Sequence, residues 1–171
     1  LVLGLIDREK AECYNPFAYL RDDNDCLVLL NNLIKSTTPS ASKSNDPFWE
    51  RAETPLLSAV ILYLLHEAPR DEQNFATVMY MLQNAGASEE NEDYQSPLDI
   101  LLEAMEEEQP GHMAVKQYTI FQGAAGKTAK SIIVSAAVRL AGWNLESLQR
   151  ITSRDDMDFG SLGERKRAIF F

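Results

Sequence analysis

The strongest pattern in the chain is the run Leu56-Leu57-Ser58-Ala59-Val60-Ile61-Leu62-Tyr63-Leu64-Leu65, in which only Ser58 interrupts the apolar positions. A helix that is hydrophobic all round leaves no face for water, so it belongs at the centre of a domain. A membrane span needs about 20 apolar residues, whereas this run is short and is bounded by Glu53 on one side and His66-Glu67 on the other. Asp46 can accept hydrogen bonds from the free amides of a first turn, and Pro47 has the fixed φ and missing N–H that suit the position after a cap. The central helix is therefore predicted over about 47–67. Pro55 removes one hydrogen bond inside it; the expectation is a kink near Arg51, the alternative being a break with Thr54 as a new cap.

Around this rod the periodicity places six more helices. Cys26, Leu29, Leu30, Leu33 and Ile34 form one stripe of a helix from about Asp23 to Lys35. Asn74 caps a helix from Phe75 to about Ala85, closed by Gly86, and Ser96-Pro97 opens one that runs through Leu98, Leu101, Leu102 and Met105 into Glu106-Glu107-Glu108. Met113 to Gln122 is the next. Lys127 to Ala141 is the most regular, with Ala129, Ile132, Ile133, Ala136, Ala137 and Leu140 at helical spacing on one face. A short helix from Leu145 to Ile151, capped by Asn144, completes an all-α body over about 22–152. Ser36 to Asn45 and Ser88 to Asp93 read as exposed loops, and Tyr14-Asn15-Pro16-Phe17 as a turn. Leu1 to Ile6 and Ala168 to Phe171 are apolar without helical period, so both ends are expected to be extended and to lie near each other against a sheet that the chain itself does not supply.

A length of 171 residues suits one domain that needs no disulfide or metal to hold it together. Cys13 and Cys26 match no ligand spacing and read as reduced, intracellular thiols. The net charge of −10 conceals an asymmetry. Residues 1–109 carry 7 Lys and Arg against 21 Asp and Glu, a balance of −14, while residues 110–171 carry 9 against 5, a balance of +4. Phosphate affinity comes from Lys and Arg, so a chain this acidic is a poor general binder of nucleic acid, and only a local basic face remains open.

Gly126-Lys127-Thr128 has the tail of a P-loop, but the first glycine of that motif would fall at Phe121, and the segment before it reads as helix rather than strand. His66 and His112 have no nucleophile or carboxylate at a spacing that identifies catalysis. The remaining chemistry is a basic, hydroxyl-bearing surface, formed by Lys116, Lys127, Thr128, Lys130, Ser131 and Arg139 with Arg165-Lys166-Arg167 further on. Its donors suit phosphate oxygens or an anionic partner. Tyr118 and Phe121 are the nearby aromatic residues on which bases could stack.

Five strings carry a resemblance in order along the chain: Cys13 to Leu20 (CYNPFAYL), Asp46 to Glu50 (DPFWE), Glu72 to Phe75 (EQNF), Ala114 to Tyr118 (AVKQY) and Ala124 to Ile132 (AAGKTAKSI). Together they resemble the TraG-like coupling proteins of conjugative type IV secretion systems, in the form found on mobile elements of Gram-positive bacteria. The resemblance makes Asn15, Pro16, Phe17, Asp46, Pro47, Phe48 and Trp49 structural motif residues. It implies that residues 1–171 are the all-α domain inserted in a RecA-like ATPase, with stubs of the ATPase sheet at 1–17 and 164–171. The Walker A loop is then expected upstream of Leu1 and the Walker B strand beyond Phe171, so this stretch is expected to be non-enzymatic and without a cofactor, ATP and magnesium belonging to the parent. That parent is implied to be hexameric and membrane-anchored, with this domain soluble, monomeric when isolated, and on the cytoplasmic face of the membrane. Relaxase and accessory relaxosome proteins are the implied partners, and single-stranded DNA is the alternative.

Overall fold

A computed structural model describes residues 11–38, 48–86, 94–124, 126–164, 166 and 168. Among them the chain forms seven α-helices and no strand: α1 (Asp23–Thr37), α2 (Phe48–Glu67), α3 (Phe75–Asn84), α4 (Pro97–Glu108), α5 (Met113–Gln122), α6 (Gly126–Arg139) and α7 (Glu146–Thr152). Single 3₁₀ turns lie at Pro16–Tyr19, Ala141–Asn144 and Phe159–Ser161. The expected extended segments at the two extremes, the Asp46-Pro47 start of the central helix and the loop from Ser88 to Asp93 fall outside the described residues, as does most of the Ser36 to Asn45 loop.

The central position expected for the apolar run is where α2 sits: it packs against α1, α3, α5 and α6. From Leu56 to Leu62 every side chain is buried. The helix runs unbroken through Pro55. Thr54 does not cap a new start, because its hydroxyl donates to the carbonyl of Glu50 one turn back at 2.6 Å. Proline inside a helix costs about 3 kcal/mol, and burial of the following two turns, at roughly 1.5–3 kcal/mol per large apolar side chain, outweighs it. Ser58 is the exception in this core: its hydroxyl is buried and has no hydrogen-bond partner among the described residues.

The caps follow the sequence with one correction. Asn74 and Ser96 accept from the backbone amides of Thr77 and Asp99, as their positions predict. Asn144 does not cap α7, which begins after Leu145 with no side-chain cap; Asn144 lies in a 3₁₀ turn and its amide oxygen accepts from Gln83 on α3. Asp99 completes a capping box and then reaches further. One carboxylate oxygen accepts from the amide and hydroxyl of Ser96, both at 2.7 Å, and the other from the Tyr118 hydroxyl at 2.7 Å and the Gln122 amide at 3.0 Å. A local helix start thereby becomes a clamp between α4 and α5. Burial works against the charged form of Asp99, but the hydrogen bonds from Ser96, Tyr118 and Gln122 prevail and hold its carboxyl below the usual range. The same contact, after burial, pushes Tyr118 above the ordinary tyrosine value.

The beginning and end of the described chain are sewn together. Tyr14 N–H donates to the Ile151 carbonyl at 2.7 Å and Asp156 N–H to the Cys13 carbonyl at 2.9 Å, while Cys13 N–H donates to the Asp156 carboxylate at 3.0 Å. Tyr19 donates to Asp155 at 2.5 Å and accepts from the amide of Phe159 at 3.0 Å, and the rings of Tyr14, Tyr19 and Phe159 stack mutually. Asn15, with its side chain donating to the Gln73 carbonyl at 2.8 Å, fixes this seam to the loop before α3. Phe17, 1% exposed, enters the helical core against Phe75. Residues 153–161 form an ordered strap, because Asp155 and Asp156 find donors on the facing segment. Cys13 and Cys26 are both buried and unpaired with each other.

Two outcomes follow. Replacing Ser58→Ala removes an orphaned hydroxyl from the core and is expected to raise the free energy of unfolding by about 1 kcal/mol in urea denaturation. A group whose folded pKa is lowered stabilises the fold above its unfolded pKa, and that stability is lost as pH falls through the folded value. The deficit of Asp99→Asn relative to the native chain should accordingly be full near neutrality and shrink below about pH 4, as measured by unfolding at several pH values.

Candidate functional site

The basic face expected on α6 is divided by the fold into an outer crest and an inner, neutralised row. Ala129, Ile132, Ala136 and Leu140 are buried, as their spacing predicts, and Ile133 and Ala137 are half-buried. On the opposite side Lys127, Lys130, Ser131, Val134 and Val138 are exposed, the two valines by 55% and 68%. The Ser131 hydroxyl is turned back to the Lys127 carbonyl at 3.0 Å.

Arg139 is not on that outer face. Its side chain is 11% exposed and its Nε meets the carboxylate of Glu53, a residue of the central helix whose side chain is 2% exposed, at 2.5 Å. Ser135 donates to the other oxygen of Glu53. Of the two terminal guanidinium nitrogens, Nη1 donates to Thr37 Oγ1 at 2.7 Å, to Thr38 Oγ1 at 3.3 Å and to the Ile34 carbonyl at 3.3 Å. One side chain therefore ties α6, α2 and the end of α1 together. It also explains why α1 runs two residues past the expected Lys35: a cation at a helix C-terminus satisfies its last carbonyls and complements the dipole.

A groove of about 740 Å³ opens above this network, between α6, the first turns of α2 and the end of α1. Glu53 and Arg139 contribute to its lining, with Trp49 and Glu50 from α2 and Lys130 and Val134 from α6. Glu50 is held by the Thr38 hydroxyl at 3.0 Å. The groove thus combines fixed polar groups with an apolar wall, and its Lys130 and Ser131 are residues that the sequence nominated. Thr128 lies instead in a second cleft of about 480 Å³ with Phe48, Pro55, Phe121 and Ile132. Lys116 is exposed on α5, next to the turn at Gly111, and lines neither cleft.

The aromatic residues are distributed differently from the sequence expectation. Tyr118 and Phe121 are 4% and 6% exposed and pack in the core, so they offer no face to a base. Phe48 and Trp49, nominated only as structural motif residues, are 46% and 38% exposed, stand edge to face at 5.3 Å, and border the two clefts. The signal that could have found them is their position in the first turn of a buried helix, where the periodicity has not yet turned every side inward.

His66 and His112, treated separately in the sequence, meet in space with ring centroids 4.5 Å apart. His66 Nε2 is 2.7 Å from Asp23 at the start of α1, and His112 Nδ1 accepts from the amide of Ala114 as the cap of α5. Burial, with the neighbouring His66 as the next contribution, holds His112 below the ordinary histidine pKa. Among the described residues, no group of three or more His, Cys, Asp or Glu side chains is arranged to hold a metal, and no helix is long and apolar enough to cross a membrane. Gly126-Lys127-Thr128 forms the start of α6, preceded by helix α5 rather than by a strand.

These features define an all-α domain with its described ends gathered at one seam and a polar-floored groove on its sixth helix. The chain belongs to the type IV secretory system conjugative DNA transfer family, whose model matches residues 2–171. The TraG-like resemblance of its five strings is thus shown, and the chain acts in DNA transfer by type IV secretion. Comparison with curated proteins and with solved structures found no match.

The Glu53–Arg139 pair should behave as a unit. Arg139→Met leaves a buried carboxylate without its counter-charge and is expected to cost about 3–5 kcal/mol, whereas Glu53→Leu with Arg139→Met together should cost less than the sum of the single changes. A double-mutant cycle by chemical denaturation measures this coupling.

Proposed function

We propose that this chain is the non-catalytic substrate-recognition domain of a conjugative coupling protein and docks relaxase and accessory relaxosome components. The observation that carries the reading is the seam: residues 13–14 and 151–156 are bonded side by side, so the helical body leaves and re-enters the chain at one place. That is the topology of an inserted domain, and it supports assigning the RecA-like ATPase, with its ATP and magnesium, to the flanking parts of a membrane-anchored, hexameric parent. In this reading residues 1–171 contribute no catalytic group, and the domain works on the cytoplasmic face of the membrane. The groove beside α6, with Trp49, Lys130 and Ser131, is the docking surface, and Lys127 lies one turn before Ser131 on the same helix. A preformed groove with a hydrogen-bonded floor gives a partner little to reorganise, and charges on its rim favour fast, selective encounter more than raw affinity.

Direct contact with single-stranded DNA is a second reading, favoured by the exposed Phe48–Trp49 pair, of which Trp49 lines the same groove as Lys130. Stacking on aromatic side chains beside cations is sequence-tolerant and salt-sensitive.

Binding of the chain to purified relaxase and accessory relaxosome proteins, followed at low and at high salt, tests the first reading; the expected outcome is association that weakens as salt rises. Absence of association with every relaxosome component at low salt overturns it. Lys127→Glu with Lys130→Glu separates the readings further: a weak affinity for single-stranded DNA that survives this reversal unchanged eliminates DNA contact at that face.

A further inference from the structure

The turn between α4 and α5 brings two histidines together at the end of the central helix. His112 precedes α5, and its Nδ1 accepts from the Ala114 amide at 3.2 Å, so the ring is that helix's side-chain cap. A ring nitrogen that accepts a hydrogen bond carries no proton of its own, which makes this His112 the neutral form with its hydrogen on Nε2. The ring stands edge to face with that of His66, the last residue but one of α2. His66 in turn reaches the start of α1, its Nε2 donating to the Asp23 carboxylate at 2.7 Å. Three helices thus meet at one pair of rings. Beside them Gln109 donates to Glu67 at 2.7 Å.

Capping and protonation at Nδ1 exclude each other. An imidazolium donates from both nitrogens, so a proton taken up at Nδ1 confronts the Ala114 N–H instead of accepting from it. Ala114 is fully buried, and an amide left there without an acceptor is costly. The new charge also meets the positive end of the α5 dipole. Of the groups around the ring, Asp23 from α1 and Glu67 from α2 favour the proton, a charged His66 and Lys116 oppose it, and Glu106 of α4 accepts from the Gly111 amide at 3.0 Å. Burial opposes the proton most, and the balance holds His112 below the ordinary histidine value. At the other end of α5, Tyr118 and Gln122 are bonded to Asp99, whose carboxyl stays ionised throughout the range in which histidines titrate. Release at His112 is therefore confined to the first turn of the helix.

We propose that His112 and His66 form a proton-operated latch: neutral, His112 caps α5 and holds its start against the end of α2; protonated at Nδ1, it drops the cap and the first turn of α5 opens. The latch goes beyond the docking reading and does not rest on it. A histidine whose folded value is lowered binds its proton more readily in the unfolded chain. The stability it confers is therefore full above about pH 6.5 and is lost as pH falls below that.

Nitrogen-15 NMR of the imidazole rings, with amide hydrogen exchange, tests the latch. At about pH 7.5 His112 should be the Nε2–H tautomer and the Ala114 amide protected; by about pH 5 that protection, corrected for intrinsic exchange, should fall several-fold relative to Ala136 in α6. His112→Asn keeps an acceptor at the cap but cannot titrate, so protection of Ala114 should become flat over the same range. His66→Gln keeps a donor for Asp23 and removes the neighbouring charge, so the midpoint of the loss should move to higher pH. An Nδ1–H tautomer near neutrality, equal protection of Ala114 at both pH values, the same acid loss in His112→Asn, or a midpoint unmoved by His66→Gln overturns the proposal.

Discussion

One carboxylate on the central helix constrains the rest of the fold. Glu53 lies a turn before the apolar run and is 1% exposed, so its charge must be compensated inside the protein. The compensation comes from Arg139 and Ser135 on α6, more than eighty residues further along. Because the same guanidinium also reaches Ile34, Thr37 and Thr38, the pairing sets where α6 lies against α2 and where α1 ends. A buried pair of this kind contributes little net stability compared with an apolar substitute, but it penalises any packing that separates the partners. It acts on which arrangement forms more than on how tightly it holds.

That constraint also decides what the sequence could reveal. The apolar run of α2, the stripe of α1, the caps at Asn74 and Ser96 and the period of α6 are local signals, and each survives in the fold because burial and the first-turn amides make the same demand wherever the helix packs. Arg139 looked like a surface cation because a helical wheel shows only which residues share a side. It does not show that a distant buried carboxylate waits on that side. The strap at residues 153–161 and the meeting of His66 with His112 were hidden for the same reason: their partners lie about 40 to 140 residues away in sequence. Of the candidate surface, the side of α6 carrying Lys127, Lys130 and Ser131 was legible, and the aromatic edge at Phe48 and Trp49 was not.

The seam between residues 13–14 and 151–156 is the long-range closure of the helical body. Backbone bonds between segments so far apart must repay the entropy of closing a long loop, but that cost grows only with the logarithm of loop length. A helical body can therefore be hung on a host chain through one junction without a large penalty, provided the junction is packed. Here the Tyr14, Tyr19 and Phe159 rings pack it and Asn15 fastens it to the loop before α3. Such an anchorage ties the start of the helical body to its end at one packed junction.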